Sequence, residues 1–232
     1  MSDLIAYKSN KLVEASYKLS LQEQRLLLLC ISKIDSKEDA PPPEDQRKMT
    51  VTAEELLTNF PDIGKQNVHM VLKECIDRLW HRSVIVFHEG RREEFRWIYY
   101  RASYLKDEGT AVITFAPEVM PYLTSLKGQF TRLVVKHLSN LTSSNSIRVY
   151  EILAKVKHIA LNNVRDRSEV IEVSDFRSML RLEDSYQDFR ILKRDLITPA
   201  LKEINQKTDL SVSFETVKTG RKVTGLKFTF EK

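Results

Sequence analysis

A chain of 232 residues, 42% apolar and 30% charged, has room for one or two ordinary cores and is too apolar to be disordered throughout. No run approaches the ~18 apolar residues that span a bilayer. Met1-Ser2-Asp3-Leu4-Ile5 lacks the start of a signal peptide, and two cysteines, Cys30 and Cys75, suggest neither a disulfide framework nor a metal site, so a cytoplasmic protein with reduced core thiols is expected.

The elements, taken in order, repeat once with an offset near 120 residues. An apolar helix, Leu21–Ile34, opens the first half, with Arg25 leading into Leu26-Leu27-Leu28-Leu29. Its counterpart is Ser144–Ile159, with Arg148 leading into Val149-Tyr150-Glu151-Ile152-Leu153. Ser36–Arg47, polar and holding three of the seven prolines, reads as a loop inside the first unit. A short strand and capped helix follow. Thr52 with Glu55 forms a capping box, and in the second half the run Val170–Val173 leads to Ser174, the expected cap of a helix through Leu180.

A second helix then follows in each half, Tyr186–Lys207 in the second. A shift of 121 lays Val68, Val71, Cys75 and Ile76 on Phe189, Leu192, Leu196 and Ile197, one buried stripe per helix. The same shift lays Gln66, His69 and Lys73 on Gln187, Arg190 and Arg194, which are expected on one exposed face. Hairpins close the halves: Val84–His88 with Phe95–Tyr100 around Glu89-Gly90-Arg91-Arg92, and Leu210–Thr216 with Val223–Phe230 around Lys218-Thr219-Gly220-Arg221-Lys222. A third strand, Ala111–Phe115, is expected after the first hairpin, then a short helix begun by Pro117. The expected class is α+β, two tandem winged-helix domains covering 1–126 and 127–232.

In this layout the second helix of each pair enters the major groove and the hairpin wing reaches the flanking backbone. Arginine can grip guanine, and glutamine adenine, with two bonds each. Charge divides the work. Residues 1–126 carry 17 Lys/Arg against 19 Asp/Glu, and residues 127–232 carry 20 against 13, so a polyanion should be held mainly by the second half. The primary readers are therefore Gln187, Arg190, Lys193 and Arg194, with Lys218, Arg221 and Lys222 on phosphates. Lys65, Gln66, His69, Lys73, Arg91 and Arg92 form a weaker set beside Glu74, Asp77, Glu93 and Glu94. Pro199 is expected to bend the second helix. Phe95, Trp97 and Tyr99 read as core, and an exposed edge of the first hairpin could pair with a second copy.

Three stretches resemble the iteron-binding replication initiators of theta-replicating plasmids: Leu19-Ser20-Leu21-Gln22-Glu23-Gln24-Arg25-Leu26, Ser146–Leu153, and Phe189–Asn205 with Gly220-Arg221-Lys222-Val223-Thr224-Gly225 behind it. The resemblance covers nearly the whole chain. It implies a monomer bound to directly repeated origin sites, and a homodimer, joined through the first unit, that represses its own promoter. It also implies a host initiator and the replicative helicase as partners, in the bacterial cytoplasm or nucleoid. Such initiators often carry a further C-terminal tail; this sequence stops at Glu231-Lys232, which fits a trimmed chain.

An enzyme is the main rival class. The five histidines, at 69, 81, 88, 137 and 158, form no His-x-His pair for a rolling-circle nuclease, and no phosphate-binding Gly-x4-Gly-Lys-Ser/Thr loop exists. No cofactor, metal or catalytic residue is expected. A winged-helix repressor without an initiator role remains the alternative, separated from an initiator only by the family resemblance.

Overall fold

The computed structural model describes residues 3–37, 43–102, 109–162 and 167–231. Strand β1 (Ile5–Ser9) and the short helix α1 (Asn10–Glu14) come before any element that the sequence predicts. Helix α2 (Leu21–Ile31) follows, then β2 (Lys48–Thr52), α3 (Ala53–Asn59) and α4 (Val68–Leu79). Strands β3 (Ser83–His88), β4 (Arg91–Arg96), β5 (Ile98–Ala102) and β6 (Thr110–Phe115) come next. Strand β7 (Phe130–Val134) and α5 (Val135–Ser139) lead to α6 (Ser144–Asn162). The second unit continues with β8 (Ser168–Glu172), α7 (Val173–Met179), α8 (Phe189–Leu192), α9 (Thr198–Lys207), β9 (Val212–Thr219) and β10 (Lys222–Phe230).

Local chemistry explains where the first helices begin. The Thr52 hydroxyl accepts from the Glu55 amide and the Glu55 carboxylate accepts from the Thr52 amide, both at 3.0 Å, as the capping box predicts. Ser20 and Glu23 make a second box at α2. Ser174 is different: it lies inside α7 with its hydroxyl on Asp175, and Glu172 occupies the cap without a side-chain bond. Glu172 is the last ladder residue of β8, so the chain turns into the helix two positions earlier than a serine cap would require.

The two units share one sheet plan. Strand order β2-β6-β5 in the first matches β8-β10-β9 in the second. This corrects the first wing. The hairpin of β3 and β4 is a separate two-stranded sheet, and the counterpart of the second unit's wing is the β5–β6 pair, whose connection at 103–108 lies outside the described residues. The predicted strand Phe95–Tyr100 is broken at Trp97, which is fully buried, edge-on to Tyr17 at 5.2 Å, and switches the chain from one sheet to the other. Phe95 stacks on Tyr122, whereas Tyr99 is exposed.

Two ties hold the units together. Strand β1 pairs antiparallel with β7, Ile5 opposite Val134 through Ser9 opposite Phe130, so the ladder spans the 126/127 boundary expected from sequence. Helix α2 is buried from Glu23 to Ile31, because it packs against its own unit and against α5 and α6. The matched arginines sit here. Arg25 pairs with Asp62 at 2.9 Å and donates to the Ser139 and Leu141 carbonyls. Arg148 donates to the Val13, Ala15 and Met179 carbonyls and, at 2.5 Å, to Tyr17 and Glu151.

Lys8, also buried, completes the cluster 2.6 Å from Glu151. Burial alone would raise the Glu151 carboxyl pKa, but Lys8 and Arg148 outweigh it and hold it below the usual carboxylate range. Cys30 and Cys75 are buried free thiols, each pushed up to about 12 by burial.

Candidate nucleic-acid interface

In the second unit, α7, a turn and α8 form a helix-turn-helix. Arg177 fixes the turn by donating to the Tyr186 and Ser185 carbonyls, both at 2.6 Å. Sequence reasoning passed over Arg177, because nothing in its spacing distinguishes a clamp from surface charge. Tyr186 has φ of 54° and cannot be helical, so the helix starts at Phe189 with Asp188 as cap. Gln187 therefore sits in the turn, exposed, with its amide on the Glu183 carbonyl, and not on the helix face predicted for it. Gln66 shows the same offset, ahead of α4.

The predicted helix Tyr186–Lys207 is also not continuous. A π turn, Lys193–Ile197, joins α8 to α9. Pro199 has no amide to offer the Asp195 carbonyl, and in a regular helix its ring would crowd that oxygen. A widened turn just ahead of the proline relieves this. Leu192, Leu196 and Ile197 point inward, fully buried or nearly so. Arg190 and Arg194 point outward, with side chains 90% and 73% exposed.

Each arginine is parked on a neighbouring carboxylate. Arg190 grips Asp188, with Nη2 at 2.7 Å from Oδ2, and Arg194 grips Asp195 at 2.6 and 2.8 Å. These pairs lower both aspartate pKa values, through hydrogen bonds from the arginines first. Exposed pairs contribute little, so an incoming base that offers two acceptors can displace them. Lys193 is exposed but turned aside, its ammonium 5.6 Å from the Phe214 ring centre. On the wing, Lys218, Arg221 and Lys222 are exposed around Gly220.

The first unit offers less. Lys65, Gln66, His69 and Lys73 are exposed on or before α4. His69 rests on Gly109, where an added Cβ would stand 2.6 Å from the imidazole, and the φ of 52° there also favours glycine. Glu74 pairs with Arg78, and Asp77 with Arg101 at 2.5 Å. Arg91 and Arg92 lie on β4, not at a turn. Arg92 pairs with Glu94 at 2.8 Å, and Arg181 of the second unit approaches the same carboxylate at 3.9 Å. Among the described residues no cluster of His, Cys, Asp or Glu could hold a metal ion, and no helix is long and apolar enough to cross a membrane.

Two tandem winged helices, each offering an exposed polar helix face, define a helix-turn-helix protein of the DNA-binding class. Family models agree: the description "Initiator Replication protein, WH1" matches residues 5–154 and "Initiator Rep protein, WH2" matches 172–230. The chain belongs to this family of replication initiator proteins. An Escherichia coli replication initiation protein is 26% identical over the whole chain and 71% of its own length. The PI protein of Escherichia coli is 28% identical over 95% of the chain and 80% of its own length. The crystal structure of Pi initiator protein in complex with iteron DNA superposes with a TM-score of 0.81 at 26% identity, covering 99% of this chain and 98% of that one. Domains 2 and 3 of RctB share the fold at 12% identity, with a TM-score of 0.53 over 98% of this chain and 85% of that one.

Proposed function

We propose that the chain is a sequence-specific duplex-DNA-binding initiator of plasmid-type replication. It binds directly repeated origin sites, with the second unit as main reader. The observation that carries this is the outward face of α8 and the π turn, where Arg190 and Arg194 stand exposed over buried Leu192 and Leu196. Its similarity to a Pi protein bound to iteron DNA supports the reading. In this proposal Gln187, Arg190 and Arg194 read base edges, with Lys193 beside them. Lys218, Arg221 and Lys222 hold phosphates. Lys65, Gln66, His69, Lys73, Arg91 and Arg92 add a weaker contact.

No catalytic step is assigned, and the protein acts by binding in the cytoplasm or nucleoid. Homodimerisation through the first unit, repression of its own promoter, and engagement of a host initiator and the replicative helicase belong to the same proposal; they rest on the family. Protection footprinting of the replicon's own non-coding region with the full chain is the test. Tandem protected repeats are expected, together with loss of plasmid maintenance when the gene is deleted. Protection no better than on random duplex would refute specific binding, and mere derepression on deletion would leave a repressor.

A further inference from the structure

Both recognition helices expose an apolar side chain where a surface helix would ordinarily carry a polar one. Ile191 is 41% exposed on α8, and Met70 is 56% exposed on α4. The two positions are 121 apart, the offset that also superposes His69 on Arg190 and Lys73 on Arg194. At 3.6 residues per turn, Met70 projects from the side of α4 opposite Val68, Leu72 and Cys75, and Ile191 stands about 160° round α8 from Phe189 and about 100° from buried Leu192. Each therefore lies on its outward face, beside the residues proposed to read bases.

The major groove has one apolar feature to offer, the C5 methyl of thymine, and aliphatic side chains recognise it. We infer that Ile191, and at the matched position Met70, are specificity residues that pack on thymine methyl groups. This rests on the proposed DNA reading and deepens it. With Arg190 and Arg194 beside Ile191, the bound repeat should place a thymine next to the guanines those arginines grip. An arginine-only face would read guanine and leave the neighbouring step unread.

The test uses the full chain and a duplex recovered by selection from a random pool. Each thymine in turn is replaced by uracil, which keeps Watson–Crick pairing and removes only the methyl. One thymine in the second unit's footprint should weaken wild-type binding about 3- to 5-fold on losing its methyl, the effect of one buried carbon. Ile191→Ala should bind more weakly and lose that preference, so that the two changes are not additive. Met70→Ala should do the same for a thymine under the first unit. Wild-type indifference to uracil at every thymine would overturn the inference, as would Ile191→Ala retaining the full preference. Failure to select any duplex over random sequence would instead overturn the DNA reading on which it rests.

Discussion

Replacing Arg148 with methionine probes the joint between the units. The guanidinium donates to three backbone carbonyls on two segments, Val13 and Ala15 on one and Met179 on the other, at 3.0–3.1 Å. It also meets Tyr17 and Glu151 at 2.5 Å, and the side chain is almost wholly buried. Removing one member of a buried ionic cluster costs about 3–5 kcal/mol, because its partners remain desolvated. Lys8 still neutralises Glu151 in the variant, so the lower part of that range applies, about 3–4 kcal/mol. For a chain of this size that lowers Tm by roughly 6–16 °C. Calorimetry of the full chain measures it, with the exposed Arg190→Met as control. A shift no larger than the control's would refute the view that this cluster holds the units together. Replacing Lys8, Arg148 and Glu151 together by apolar residues should recover much of the loss, since no buried charge is then left unpaired.

Arg194→Ala should weaken binding to the selected repeat roughly 5- to 150-fold while barely changing binding to random duplex, and Lys73→Ala should cost less; equal losses on both duplexes would remove Arg194 from the base readers. Removing Lys218, Arg221 and Lys222 together should reduce the salt slope by up to about 0.9 per lost phosphate contact, more than removing Arg91 and Arg92; matching slopes would contradict the division of labour. Thr52→Ala should cost about 0.5–2 kcal/mol in urea unfolding by breaking the α3 capping box, and Ser174→Ala, which removes no cap, should not. Burial alone would raise the Glu203 pKa, but hydrogen bonds from Lys207, Ser146 and Thr142 outweigh it and hold the pKa at about 2. Because the folded-state value lies below the unfolded one, its stabilisation is full above about pH 4.5 and disappears as pH falls towards 2. Discounted for solvent screening, it is about 1–2 kcal/mol, and Glu203→Gln should flatten that part of the pH–stability curve.

The sequence displayed what is local. The Thr52–Glu55 capping box, most of the apolar stripe of each second helix and the second hairpin can all be read within a dozen residues, and each of these signals has one physical cause. The first wing was hidden because its defining contact, β6 between β2 and β5, joins strands some sixty residues apart. Glu89-Gly90 meanwhile offers a convincing turn nearby. The alternation Phe95, Trp97, Tyr99 runs on through the switch of sheets, so periodicity alone cannot show the break. Strand β1 was invisible for a related reason: its pattern includes Lys8, whose burial makes sense only beside Glu151, 143 residues away. At the site, the exposed arginines were legible, but the π turn ahead of Pro199 and the Arg177 clamp depend on backbone carbonyls that sequence does not advertise.

The repeat also explains why the two leading arginines recur. Arg25, on α2 of the first unit, reaches the carbonyls of Ser139 and Leu141 at the entrance to the second. Arg148, on α6 of the second unit, reaches back to Val13 and Ala15 of the first. Each copy thus holds the backbone of the other, and the exchange is reciprocal. Guanidinium groups suit this task because they offer five donors in a fixed plane and stay charged when buried. Backbone carbonyls are acceptors whatever side chain they carry, so the clamp tolerates divergence of the surrounding sequence. Its consequence for recognition is geometric: with both arginines engaged, α4 and α8 are presented by one body.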